Sequence, residues 1–220
     1  MRKTVVAVFA HPDDEALGPA GTLAKFSKTH DVHLVCITDG QAGKNSLKNS
    51  ATELSKVRKQ ELFESAKILG IKKIHCLGFV DGTLSNNLYH EVAKKIKKKL
   101  MLLKPETVIT FEPHGISGHI DHIAVTFITT YVVKQLPFIK NLYYYCLTLK
   151  ERKMMPENYF VYFPDGYKKN EIDREVDITD VWDTKLKAMN AHASQKHDAT
   201  TVQKAFKDLP RKEYFLKFQR

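Results

Sequence analysis

Short apolar, β-branched runs alternate with longer amphipathic stretches from residue 4 to residue 147. Thr4–Ala10 is apolar almost throughout, the pattern of a strand covered on both faces inside a parallel sheet. Gly18–Thr29 carries Ala20, Leu23, Ala24 and Phe26 at helical spacing, and Val32–Thr38 reads as a second strand. A polar loop opening with Asp39-Gly40-Gln41-Ala42-Gly43 runs to about Ser50. Thr52–Leu69 reads as a helix with Leu54, Val57, Leu62, Ala66 and Leu69 on one stripe, stopped by Gly70. Lys73–Leu77, Thr107–Phe111 and Leu142–Leu147 read as further strands, and Leu88–Leu103 and His119–Gln135 as the helices between them. This βαβαβαβαβ order predicts an α/β fold: a three-layer sandwich with a mostly parallel central sheet and right-handed crossovers.

Past Lys150 the periodicity weakens. The pattern there suggests a short helix over Lys150–Asn158, edge strands at Tyr159–Phe163 and Glu175–Ile178, and a helix over Thr184–Gln195 opened by Asp183. The stretch around Glu213-Tyr214-Phe215 reads as a tail folded back over the site. With no repeat and no low-complexity linker, residues 1–220 read as a single domain.

Composition narrows the class. Hydrophobic residues make 43% of the 220 and charged residues 27%, ordinary for a globular chain. No apolar run approaches the roughly 18 residues of a membrane span, and Met1-Arg2-Lys3 leads straight into the first strand, so a cytoplasmic protein without stable membrane insertion is expected. Cys36, Cys76 and Cys146 stand alone within apolar runs and read as small hydrophobes. The net charge of +10 and pI near 9.3 invite a nucleic-acid reading. Its densest run, Lys94-Lys95-Ile96-Lys97-Lys98-Lys99, instead suits the solvated face of a helix whose inner stripe is Val92, Ile96 and Leu100. No nucleic acid is expected as partner. The basic surface suits anionic small molecules, and the sequence leaves room for a homo-oligomer.

The chemistry lies where strands end. Behind the first strand come His11-Pro12-Asp13-Asp14-Glu15, one imidazole and three carboxylates. Alone, such a turn reads first as a helix cap. Behind Thr107–Phe111, however, lies a second cluster, Gly115-Ile116-Ser117-Gly118-His119-Ile120-Asp121-His122. Two strand ends bearing His and Asp suggest one converging metal site in the crevice where α/β sheets bind ligands. Catalytic zinc takes three protein ligands and leaves a position for water, a count met by His11, Asp14 and His122. Asp13, beside a ligand but pointing differently, fits the base that deprotonates metal-bound water. His119, one turn before His122, fits a group that stabilises an oxyanion or protonates a leaving amine. Asp121 is expected to orient His119 or another imidazole.

These two motifs resemble those of the PIG-L/LmbE-like family of zinc-dependent N-acetylglucosaminide deacetylases. Further matches are Thr38–Gly43, Arg58-x-x-Glu61, Leu77-Gly78-Phe79 with Asp81-Gly82, and His192-x-Ser194-Gln195, so the likeness spans nearly the whole chain. The resemblance implies a Rossmann-like fold, the ligand set His11, Asp14 and His122, Asp13 as base and His119 as oxyanion or acid histidine. It also implies that Arg58 and Asp81 bind sugar hydroxyls. Arg58 lies in line with Leu54 and Leu62, an odd place for a freely solvated side chain, although an ion pair with Glu61 is the plainer alternative. Ser117 departs from the pattern: some relatives carry a Tyr there, so that oxyanion donor is absent.

The expected function is metal-dependent removal of the acetyl group from an N-acetylglucosamine-type sugar or conjugate by metal-bound water, with Zn²⁺ as cofactor and Fe²⁺ suited to the same ligands. Two alternatives remain: an amidase acting on a thiol conjugate or other N-acyl compound, and a basic nucleic-acid-binding domain whose metal is structural.

Overall fold

The computed structural model describes residues 2–47, 50–157 and 162–219. Among the described residues, seven strands form one sheet: β1 Thr4–Phe9, β2 Asp31–Thr38, β3 Lys73–Phe79, β4 Thr107–Phe111, β5 Asn141–Cys146, β6 Arg174–Asp177 and β7 Lys212–Lys217. Their order is β3-β2-β1-β4-β5-β7-β6. The first five pair in parallel, as the apolar runs predict; β7 is antiparallel to both of its neighbours. The chain goes outward from β1 to β3 and then crosses back to β4 on the other side of β1. The crevice at the carboxyl ends of β1 and β4 is therefore the topological switch point, where α/β sheets bind ligands.

Helices cover both faces: α1 Asp14–Leu17, α2 Ala20–Thr29, α3 Ala51–Leu69, α4 Tyr89–Leu103, α5 Gly115–Gly118, α6 Ile120–Lys134, α7 Leu149–Met154, α8 Trp182–Ala191 and α9 Lys196–Phe206. One core layer packs β1 side chains Val5, Ala7 and Phe9 against α2, α3 and α8; the other packs Val6 and Val8 against α4 and α6. This alternation is what a strand covered on both faces requires. In α4 the inner stripe Val92, Ile96 and Leu100 is fully buried, which leaves the lysines outside. Helix α3 starts in a capping box, with Ser50 accepting from Glu53 N and the Glu53 carboxylate accepting from Ser50 N, and ends at Gly70 with φ of 72°. No described helix is long and apolar enough to cross a membrane. Cys36 and Cys146 are buried, Cys76 half-buried, and all three are free thiols.

The C-terminal third departs from the sequence reading. The helix expected over Thr184–Gln195 is α8, which begins at Trp182, ends at Ala191, and is followed by a 3₁₀ turn over Ala193–Gln195 and by α9. His192 is drawn inward at this break, which ends the first helix. The expected tail is strand β7, inserted between β5 and β6. Its Glu213 is 1% exposed and accepts hydrogen bonds from Gly21 N and Thr22 N, the open first turn of α2. Lys185 of α8 donates to the same carboxylate and to the Gly18 carbonyl, at 2.7 Å each. A buried charge there is tolerable because it is paired and fully hydrogen-bonded. Helix α7 starts at Leu149, one residue earlier than expected, and ends at Met154. Residues 159–161 of the expected edge strand lie outside the described residues, and Tyr162 and Phe163 are in no strand.

Candidate active site

The first cluster hangs on the end of β1. Asp13 takes φ of 145°, a strained value for a residue with a β-carbon, and turns the chain directly into α1. The second cluster hangs on the end of β4. There Glu112, 3% exposed, accepts from His114 N, Ile116 N and the Tyr167 hydroxyl, fixing the 113–118 loop. Ile116 has φ of 64°, an outlier for a β-branched residue. His119 is not in α6 but caps it, its Nδ1 accepting from Asp121 N. His122 lies in the first turn of α6.

Hydrogen bonding assigns the imidazole tautomers. His11 Nε2 lies 2.9 Å from Asp81 Oδ1 and 3.3 Å from Asp121 Oδ2, so Nε2 carries the proton. His122 Nδ1 donates to the Gly115 carbonyl at 2.9 Å. The remaining nitrogens, His11 Nδ1 and His122 Nε2, are 2.9 Å apart. Two lone pairs face each other at that distance only across a proton or a metal cation. Asp14 closes the third side, with Oδ1 3.2 Å from His122 Nε2 and Oδ2 3.8 Å from His11 Nδ1. Ring nitrogens of His11, His119 and His122 also lie within 4.8 Å of one another. His119 is the poorer third ligand: because its Nδ1 accepts, its Nε2 bears the hydrogen.

Charge points the same way. Asp13, Asp14, Asp81 and Asp121 are all buried around this point, and among the described residues the one buried guanidinium or ammonium beside them is Arg58. So many carboxylates need a further cation. Burial disfavours a charged His11, but the Asp121, Asp81 and Asp14 carboxylates outweigh it and lift its pKa to about 10. The Asp14 carboxyl is held far below its usual range: burial works against this, but His122 and His11 prevail. Asp13 is pushed up to about 6, chiefly by burial, with Arg58 opposing and Asp14 assisting. His119 is lowered to about 4 by burial and by the neighbouring His11 and His122. The donor set, the facing lone pairs and the negative surroundings fit a divalent ion.

All eight residues singled out in the sequence meet here, some in positions that the sequence left open. Asp121 contacts His11 through its side chain and is itself held by Gly82 N and Leu84 N. Asp81 has both oxygens engaged, one by His11 and the other by Ala42 N. Arg58 donates to the carbonyls of Gly40 and Pro12 and pairs with Asp13 at 3.1 Å; Glu61, its plainer alternative partner, instead accepts from Ser194 N and Oγ. A brace beneath Asp13 had no role in the sequence reading. Glu15 accepts from Ser65 Oγ, Asp13 N and His192 Nε2. Burial opposes charge on His192, but Glu15 outweighs it and raises its pKa. The buried histidine of His192-x-Ser194-Gln195 was the available signal.

A polar cavity of about 290 Å³ opens over the site, lined by Asp13, Arg58, Asp81, His119 and Gln195 among others. A buried carboxylate, an imidazole with a hydrogen on Nε2 and two facing imidazoles beside a second carboxylate, all around such a cavity, are side chains with which a hydrolase can work.

The profile of the PIG-L family, GlcNAc-PI de-N-acetylase, matches residues 6–133. A probable N-acetyl-alpha-D-glucosaminyl L-malate deacetylase 2 from Bacillus cereus is 32% identical over 201 residues, covering 89% of this chain and 84% of the relative. Diacetylchitobiose deacetylase from Thermococcus kodakarensis is 32% identical over 197 residues, covering 88% and 70%. Among solved structures, N,N'-diacetylchitobiose deacetylase from Pyrococcus horikoshii superposes with a TM-score of 0.75 at 28% identity, covering 99% of this chain and 84% of that one. Fold and site together thus define an N-deacetylase, a hydrolase of amide carbon–nitrogen bonds. The chain belongs to the PIG-L family.

Proposed function

We propose that this protein removes the acetyl group from an N-acetylglucosamine-type sugar or small conjugate, with Zn²⁺ held by His11, Asp14 and His122. The observation that carries the reading is the pair of imidazole lone pairs 2.9 Å apart, flanked by Asp14 and opening on a polar cavity. An ion bound there supplies Lewis acidity toward the amide carbonyl and makes a neighbouring water acidic. Asp13, with a carboxyl near neutrality, accepts the proton of the attacking water. Arg58 holds Asp13 in place. Neutral His119 donates from Nε2 to the oxygen that gains charge as the carbonyl carbon becomes tetrahedral. The carbon–nitrogen bond then breaks, the proton held by Asp13 passes to the departing nitrogen, and acetate and an amino sugar are released.

Asp81 and Asp121 hold the His11 ring in its ligating orientation, and a partner of this kind is worth roughly 10–100-fold in ion affinity. Arg58, Gln195 and the edge of Asp81 border the cavity where sugar hydroxyls would bind. The relatives named above act on N-acetylated sugar conjugates by their names, which supports this substrate class. A structural metal in a nucleic-acid-binding domain calls for a closed four-ligand site, and this one opens on a cavity. Free thiols suit the cytoplasmic placement. The test is acetate release from N-acetylglucosamine conjugates by chelator-stripped and zinc-restored protein. Release only after restoration is expected; full release by stripped protein refutes the reading.

A further inference from the structure

A second cavity meets the polar one at the triad. It holds about 80 Å³ and shares Asp14, Leu17, Ser117 and His122 with the polar cavity. The rest of its wall is apolar and mostly buried: Phe111, Ile116, Leu147, Met155, Val202 and Phe206 among others. Packed interiors leave few voids larger than one water, and a cavity of about 150 Å³ holds the six carbons of benzene. This void therefore has room for about three such carbon groups. The methyl of an acetyl group would fill about a third of it.

The point of cleavage thus sits on a border between polar and apolar space. An amide has two sides, and the sugar amine side is matched by Arg58 and Gln195 in the polar cavity. We infer that the apolar cavity receives the acyl side, and that it accepts a straight chain of about four carbons, carbonyl included. This rests on the hydrolase reading above and extends its substrate class from N-acetyl to N-butanoyl sugars. The atoms balance as before: water adds at the acyl carbon, the carbon–nitrogen bond breaks, one water proton goes to nitrogen, and butanoate leaves in place of acetate. Each methylene moved from water into the cavity favours the longer chain by about fourfold.

The test compares N-acetyl-, N-butanoyl-, N-hexanoyl- and N-decanoyl-glucosamine on the zinc-loaded protein. Values of kcat/KM are expected to rise by at least fivefold from acetyl to butanoyl and to fall at decanoyl. A Val202→Phe variant, which fills the cavity from α9, is expected to lower the butanoyl-to-acetyl ratio at least fivefold. Met155 lies on the cavity wall, so its labelled methyl resonance gives a separate readout. It is expected to shift with butanoate and not with acetate. Cleavage of N-acetylglucosamine together with slower cleavage of the butanoyl sugar and an unmoved Met155 methyl overturns the acyl pocket and leaves the deacetylase reading standing. If no N-acyl sugar is cleaved, the deacetylase reading falls. The Met155 methyl then decides the cavity alone: a shift with butanoate keeps a short-acyl site, and no shift removes it.

Discussion

Replacing Asp13 with Asn tests the base most directly. Asn is nearly isosteric, and its Oδ1 can still meet Arg58 Nη2, 3.1 Å from the present carboxylate. It also carries the same β-carbon, so the backbone strain at φ of 145° is unchanged and the fold should persist. What disappears is the ability to take a proton. A positioned general base contributes about 10²–10⁴ in rate, or about 2.7–5.4 kcal/mol at about 1.36 kcal/mol per decade. Asp13 is buried and has a carboxyl near neutrality, so a loss near 10³ is expected with ion content unchanged. The wild-type rate should also show an acid limb. Burial raises the Asp13 pKa, so the basic form is lost as pH falls through that value. The ion-free value of about 6 sets the upper bound of the limb, because a neighbouring dication lowers a carboxyl pKa. Amine release followed by fluorescamine from about pH 5 to about pH 8, with bound zinc measured on the same samples, reads both effects. An Asn variant that keeps its rate within about fivefold and retains the acid limb would mean that the proton goes elsewhere.

Three more outcomes follow from the same geometry. Asp121→Asn brings an amide hydrogen against either Gly82 N or Leu84 N and weakens the hold on His11, so zinc affinity should fall roughly 10–100-fold in a chelator competition; unchanged affinity would refute the orienting role. Lys185→Met leaves Glu213 buried without its cation and should cost about 3–5 kcal/mol in urea unfolding, with part recovered by adding Glu213→Gln; a loss below about 1 kcal/mol would show that the helix amides suffice. Gly40→Ala combines a positive φ of 70° with a β-carbon 2.7 Å from Arg58 Cζ. It should cost about 1–2 kcal/mol from backbone alone and depress kcat/KM by displacing Arg58 from Asp13, whereas wild-type kinetics would dissociate Arg58 from positioning the base.

The parallel half of the sheet was legible because burial on both faces leaves uninterrupted β-branched runs such as Thr4–Ala10. The meeting of the two clusters was legible because His and Asp stand directly behind two such runs. Other features depend on contacts between distant loops. Asp81 and Asp121 lie 40 positions apart and show themselves as partners of His11 only once β3 and α6 are in place. Strand β7 hid behind its own composition: Lys212-Glu213-Tyr214-Phe215-Leu216-Lys217 sends a carboxylate inward, where an apolar residue is expected, because α2 offers two unpaired amides there. Helix α9 does carry a readable stripe, Ala199, Val202, Ala205 and Phe206, which the polar His192–Gln195 break obscured.

The placement of β7 bears on how the chain is made. All six other strands precede it in sequence, yet β6 has no neighbour until β7 arrives, and β5 keeps an open edge of tyrosines. The bond from Gly21 N to Glu213 spans 192 positions. During synthesis the strands that come first can pair as they emerge, while the start of α2, close behind Asp14, waits for residues 212–217 to leave the ribosome. A nascent or truncated polypeptide lacking residues 212–217 would therefore present Tyr143, Tyr144 and Tyr145 on a bare strand edge, a surface prone to joining other chains rather than its own.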